Sequence, residues 1–508
     1  MNGLREEVDG FSLTEILEPE DYLLLAAVVG LPWAFGGVQI WAFRLAALLI
    51  VSAAAVVVFR RGAAGLALTR RAGWLLPAPL LGLWGLVQLT PMPPAVVGLL
   101  SPRADAIYRM SFPGYPAESA PPTQRAIEDQ ALARVPEIAG LDAPADGPLA
   151  PEMAVGGRWS GWRGLALVPH AGIERVCWFS ALLVAFVVAR ARCRDPEVAD
   201  AYRKVLFVLF FSLAVFGLVY AATSNGKLYW VRTTLDASRP FGPYVNPTNF
   251  AGVMELAVPW LAGYTWLSWS TRSRTTPLRE TRLPFLLAAT AVCALAALAT
   301  ASKAAALLSL GALAAVALVA AVGWRRRLVV VAAVVVATSA AGLLLRFAPL
   351  GARVRDFVEA TGGNVSQVDR VVAWRAGLDL LREFPVTGVG FGSFGDVFPA
   401  YLPAGEFLRW SHLHNDYLEL ALEGGVVAVA LALWLAVAYW RRVLAGAGRQ
   451  TDGGRSNLAH VGLLAGVAAL TIHALFDFNH QIPANGLLFT VLAAIAVTMT
   501  ESRARSGR

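Results

Sequence analysis

The chain has 508 residues, of which 57% are hydrophobic and only 15% charged. Soluble domains carry about 25% charged residues, so the composition excludes a soluble enzyme, a disordered chain and a secreted disulfide scaffold. The net charge of +8 would fit an acidic partner, but the placement of the cations gives it another meaning. Cys177, Cys193 and Cys293 stand in or beside apolar stretches with no paired spacing, and predict neither a disulfide framework nor a zinc site. The segment Met1 to Asp9 lacks the basic start of a signal peptide. The first apolar run is therefore expected to stay in the mature protein.

Apolar runs follow at roughly 21–37, 41–59, 73–90, 172–189, 205–222, 247–268, 284–301, 303–323, 328–346, 415–440, 457–475 and 484–500. A membrane-spanning helix needs about 20 such residues, and the runs do not alternate with period two as barrel strands would. The expected fold is all-α: a polytopic integral membrane protein of about twelve transmembrane helices. The cations fix its orientation. Arg60, Arg61, Arg70 and Arg71, then Arg190 to Lys204, Arg272 to Arg282, Arg325 to Arg327, Arg441 to Arg455 and Arg503 to Arg508 fill alternate short connections and the tail. They account for 23 of the 43 Lys and Arg. The positive-inside rule puts them, and both termini, in the cytoplasm. The charge is topological and calls for no nucleic acid.

Five regions result. Residues 1–90 hold the first three spans. Residues 91–171 form an extracytoplasmic insertion, rich in Pro, Ala and Glu around Ala117–Pro151 and expected to be loosely ordered, with an amphipathic helix near Gln124–Val135. Residues 172–346 hold spans four to nine. Residues 347–414 form a large periplasmic loop before the tenth span, in which Gln367–Phe384 reads as an amphipathic helix on the membrane boundary, stopped by Pro385. Residues 415–508 hold the last three spans and a cytoplasmic tail.

Polar chemistry gathers on the outer side. His170, His412, His414, His473 and His480 map there, and only His460 maps inward. Asp416 followed by Glu419 reads as a capping box that starts the tenth span, with His414 just before it. An imidazole of ordinary pKa near 6.5 can take a proton from a hydroxyl at neutral pH. The spacing of His412, His414 and Asp416 also suits a zinc loop, although no second cluster completes it. Asn246 and Pro247 suit the N-cap and first position of the sixth span, with Arg239 upstream, and Ser302-Lys303 opens the eighth. Spans six, eight and ten all begin outside, and helix N-termini attract phosphates. Arg239 and Lys303 there suggest a phosphorylated lipid, against the alternative that both snorkel to headgroups. Glu255, an acid inside the sixth span, is a further candidate. Gly388, Gly390, Gly392 and Gly395 read as turns, since no strand-then-helix context supports a nucleotide loop.

Over about 239–440 the residues resemble the O-antigen ligase and polymerase family of bacterial membranes. The resemblance rests on Asn246-Pro247-Thr248-Asn249-Phe250-Ala251, Thr300-Ala301-Ser302-Lys303, Arg370 to Trp374, Pro385 to Gly390, His414 to Glu419 and Glu423-Gly424-Gly425, with the tail Asp477 to Asn485. It implies a GT-C-like fold in the bacterial inner membrane. It also implies transfer of an oligo- or polysaccharide from a polyprenyl diphosphate carrier to an acceptor hydroxyl on the periplasmic face, by inversion and without metal or other cofactor. The family's histidine falls on His414 and a phosphate-binding arginine on Arg239. A second family arginine falls on Lys303, which keeps the charge and loses the bidentate fork. Arg370, Asp477, His480 and Glu255 are then expected to contact substrate, and Glu419 to orient His414. The partners implied are the lipid bilayer, the polyprenyl-diphosphate-linked glycan and a glycan, lipid A core or protein acceptor. The alternatives are a polymerase of the same family and, in another class, a polysaccharide transporter or flippase. A transporter would place ionisable groups at mid-bilayer, whereas here they cluster at one face with Glu255 as the main exception.

Overall fold

Proline opens most of the helices, at the position where a missing N–H costs nothing. In the computed structural model, which describes residues 13–66, 70–112, 115, 161–234, 239–270, 282–321, 325, 328, 367–402, 410–447 and 458–506, the longer helices are α1 (Pro19–Trp33), α2 (Ile40–Arg61), α3 (Pro77–Leu89), α4 (Pro94–Leu100), α5 (Pro102–Ser111), α6 (Pro169–Arg192), α7 (Pro196–Thr223), α8 (Pro247–Ser270), α9 (Arg282–Ala299), α10 (Lys303–Ala320), α11 (Gln367–Glu383), α12 (Asp416–Ala447), α13 (Leu458–His473) and α14 (Pro483–Ser506). Among the described residues there is no strand, only three isolated bridges. Eleven of the twelve apolar runs coincide with helices; the run at 328–346 and the segment Gln124–Val135 lie outside the described residues. Six helices, α2, α6, α7, α10, α12 and α14, are long and apolar enough to cross a bilayer, and α9, α13 and the Gly73–Leu89 stretch containing α3 are shorter apolar helices. The chain is an integral membrane protein.

Buried on every side from Asn249 to Leu261, α8 is the centre of the bundle, packed by α7, α9, α10, α13 and α14. Its closest partner is α13, where Gly462 and Gly466 lie one turn apart. A Cβ on Gly462 would meet the Pro259 carbonyl at 2.2 Å, and one on Gly466 the Leu256 carbonyl at 2.8 Å. Small residues four apart let two helix backbones touch, which is how helices associate where the solvent itself is apolar.

The two ends of the bundle carry different chemistry. At one end arginines meet carboxylates: Arg192 with Asp21 at 2.6 Å, Arg60 with Glu20 at 3.1 Å, and Arg190 and Arg442 with Glu501 at 2.7 and 3.1 Å. His460 opens α13 at this end, beside Thr500. The opposite end, where α12 and α14 begin and α13 finishes, holds four histidine–carboxylate pairs.

A second apolar core caps that end. It joins Val97, Tyr108, Leu165, Leu380, Phe394 and Leu413. The insertion expected to be loosely ordered thus has both its edges folded: α4 and α5 pack into the cap, and the Tyr108 hydroxyl donates to the carbonyls of Gly164 at 3.0 Å and Ala166 at 3.1 Å. Prolines at 93, 94 and 102 break these helices into pieces too short to show a period in the sequence. Helix α11 forms as expected, with Ala373 and Leu380 in the cap and Val371 and Leu378 exposed. The glycines at 388, 390 and 392 are turns with positive φ. Below them Gly425 (φ 65°, ψ −169°) bends α12, and the Val426 N–H leaves the helix ladder to reach the Pro385 carbonyl at 2.9 Å.

Candidate active site

His414 closes the approach to α12 with φ at +55°, the left-handed region that a bulky residue enters rarely and at a cost. The turn aims its ring at Asp477, in the 474–482 connection between α13 and α14. Nδ1 of His414 lies 3.2 Å from Oδ1 of Asp477, and the same oxygen accepts from the Phe478 N–H at 2.8 Å. Asp477, held below the usual aspartate range, is ionised at neutral pH and can only accept, so the network assigns the His414 proton to Nδ1. Trp410 and Phe478 pack edge-on to the ring, with centroids 6.0 and 4.7 Å away. The imidazole keeps 13% of its side-chain surface, while Asp477 keeps 1%. Burial pushes the Asp477 carboxyl up, but the His414 hydrogen bond, with the charges of His414, His473 and Arg370, outweighs it and holds the group below the usual aspartate range.

Three more pairs repeat the theme. Nδ1 of His412 meets Oε1 of Glu419 at 2.9 Å, Nδ1 of His480 meets Oδ2 of Asp416 at 3.1 Å, and Nδ1 of His473 meets Oε2 of Glu255 at 3.1 Å. His412 also stacks on Phe478, 4.4 Å between centroids. The carboxylates are almost fully enclosed, and a buried carboxylate needs a partner of this kind. His412, His414 and Asp416 therefore do not converge on one point. Alternate residues serve three different partners, and among the described residues no group of three His, Cys, Asp or Glu is arranged to hold a metal ion.

Two sequence expectations change here. Glu419, expected to orient His414, hydrogen-bonds His412 and the Leu413 N–H (2.8 Å) instead, and Asp477 takes the place beside His414. Nor do Asp416 and Glu419 form a capping box. Asn415 caps α12 by accepting from the Leu418 N–H at 3.0 Å, and the Asp416 N–H is spent on the Ala474 carbonyl at 2.9 Å. Both acids are engaged by histidines, Glu419 by His412 seven residues before it and Asp416 by His480 from 64 residues away.

The structure gathers His414, Asp477, His480, Glu419 and Arg370 around the 474–482 turn; Arg370 donates to the Phe476 carbonyl at 2.8 Å. Glu255, proposed from sequence as a substrate contact, is fully enclosed between α8 and α13 and presents nothing to a ligand. Arg239 and Lys303 lie on segments that open two neighbouring helices, α8 and α10. Asn246 and Ser302 cap α8 and α10 as expected, accepting from Thr248 N–H at 2.9 Å and Ala305 N–H at 3.4 Å. Arg239 is half-buried, and burial lowers its guanidinium from the ordinary value. Lys303 is exposed. Sequence reasoning missed Arg175, which bonds Gln481, and Gln88, whose amide ties Thr387 and Glu423 carbonyls (2.6 and 2.9 Å) to α3. A lone Gln in an apolar run was the only signal for the second.

Residues 288–433 match the family model described as O-antigen ligase. Over these residues the chain is similar to the O-antigen ligase family. The matched segment runs from α9 into α12, and so contains Lys303, Arg370, His412, His414, Asp416 and Glu419. Asp477 and His480, the partners of His414 and Asp416, lie outside it, as do the whole His473–Glu255 pair and Arg239. No curated protein matches the chain significantly. The match and the apolar helices fit membrane glycan processing of the O-antigen ligase and polymerase type.

Proposed function

We propose that the chain is a membrane glycosyltransferase of the O-antigen ligase type, moving an oligo- or polysaccharide from a polyprenyl diphosphate to an acceptor hydroxyl. The observation that carries this reading is the His414–Asp477 pair. With Nδ1 held by Asp477, Nε2 is the nitrogen left to take the hydroxyl proton. The acceptor oxygen attacks the anomeric carbon, the bond from that carbon to the diphosphate oxygen breaks, and the lipid diphosphate leaves. One displacement inverts the anomeric centre. Arg239 and Lys303, at the starts of α8 and α10, offset the charge that grows on the leaving group, helped by the N–H groups of those helix ends. Neither metal nor nucleotide enters this chemistry. Arg370 and His480 flank the dyad as contacts for sugar or acceptor.

Orientation supports the reading. The arginine-rich end suits the cytoplasm of a bacterial inner-membrane protein with both termini inside, which leaves the histidine end in the periplasm. The twelve-span, GT-C-like arrangement belongs to the same proposal. The test is transfer by the full chain in liposomes, given a polyprenyl-diphosphate oligosaccharide and a panel of acceptors. Glycan joined to a lipid A core supports ligase activity, growth of the lipid-linked glycan itself indicates the polymerase alternative, and transport without any new glycosidic bond refutes both.

A further inference from the structure

Glu255 and His473 are the one histidine–carboxylate pair that no substrate can reach. Their side chains are 0% and 1% exposed. Both carboxylate oxygens face the same nitrogen, Oε2 at 3.1 Å and Oε1 at 2.9 Å from Nδ1 of His473. An enclosed acid in an apolar helix is costly, and the reaction proposed above gives it no chemical task.

Its surroundings give it a mechanical one. The side chain of Asn479 lies with Nδ2 3.3 Å from the same His473 nitrogen. Oδ1 of Asn479 accepts from Asn485 Nδ2 at 2.9 Å, and that amide also donates to the Asn249 carbonyl at 2.8 Å. Gly252 leaves the space: a Cβ there would sit 2.4 Å from Oδ1 of Asn479. The 474–482 turn is thereby fastened to α8 at both of its edges, by His473 on one side and Asn485 on the other. Between those fixings the turn carries Asp477, which holds His414, and His480, which holds Asp416.

We propose that Glu255 and His473 are positioning residues of the transfer site: their buried bond keys the 474–482 turn to α8, and so sets Asp477 and His414 in register with the helix that follows Arg239. This rests on the function proposed above. It explains why an acid and a histidine outside any ligand's reach occupy the densest helix contact in the bundle. Replacing Glu255 by an apolar side chain strands the His473 N–H in a dry contact and lets the turn drift. A misplacement near 1 Å costs on the order of a hundredfold in rate.

The test uses the full chain in liposomes, read two ways: steady-state transfer, and hydrogen exchange of the peptide spanning 474–482. Glu255→Leu is expected to speed exchange in that peptide and leave α6 protected. It should lower kcat by about tenfold or more, with KM for the lipid-linked donor within about twofold, because donor contacts are untouched. Glu255→Gln keeps an oxygen that accepts from Nδ1 and should restore both readouts. Should Leu fold poorly, His473→Phe, which has no donor, provides the same break from the other side. Wild-type exchange and wild-type kcat in both broken variants would overturn the proposal. A purely structural role would lower the amount of folded protein while leaving kcat per folded molecule unchanged, and that outcome overturns it as well. Faster exchange in a chain whose wild type transfers no glycan strikes the reading of the site and leaves the fastening standing.

Discussion

At the scale of single residues, the account turns on charge that has been taken out of water and given one partner. Asp477 is the clearest case. Its folded-state pKa lies below the usual aspartate value, so it contributes stability that is present above about pH 4 and is lost as the pH falls through the lowered value. Melting temperatures of the wild type and Asp477→Asn should therefore differ by a constant amount at neutral pH and converge under acid. A gap that persists unchanged at pH 3 would contradict the pairing. Lys303 supplies a second test. As a diphosphate contact it tolerates arginine, which adds a second hydrogen bond to phosphate oxygens, whereas Lys303→Ala should lose about tenfold or more in transfer per folded molecule. Equal rates for lysine, arginine and alanine would remove residue 303 from the site.

At the scale of elements, small residues decide what lies against what. Gly462 and Gly466 in α13 touch α8 backbone, so Gly462→Val should force the helices apart. Overpacking a tight contact costs roughly 1–3 kcal/mol, read as a lower melting temperature in detergent. Gly311 of α10 has nothing within 4 Å of an added Cβ, and Gly311→Val should melt like the wild type. The helices were legible in the sequence because apolar runs, leading prolines and the caps Asn246 and Ser302 are local signals. So was the start of α12, although its cap was not: Asn415 takes the capping bond, while the Asp416 carboxylate is engaged by His480, 64 residues away. The same reason hid the partner of His414. Glu419 is five positions from His414 and looked the natural neighbour, yet the left-handed turn at His414 points the ring to Asp477 instead. Pairings across 63 residues leave no periodic trace for a single sequence to show.

At the scale of the whole molecule, the buried charge of the bundle is polarised, with buried arginines on carboxylates at one end and histidine–carboxylate pairs at the other. The positive-inside rule turns that polarity into an orientation. Single cysteines at Ser224, exposed just after α7, and at Ser502, exposed near the end of α14, should react oppositely with an impermeant thiol reagent in spheroplasts of a strain carrying the otherwise cysteine-free chain. Ser224→Cys should label and Ser502→Cys should not. The reverse would put His414 in the cytoplasm, on the wrong side for a periplasmic transfer.

The central claim is that His414 takes the acceptor proton in a transfer from a lipid diphosphate. The most direct measurement is the rate of glycan transfer, per folded molecule in liposomes, for the wild type and His414→Gln. General-base catalysis contributes roughly 10²–10⁴-fold. The account predicts a loss of that size in His414→Gln, with donor binding retained, since the proposal assigns the diphosphate to Arg239 and Lys303. Transfer by His414→Gln at the wild-type rate would contradict it.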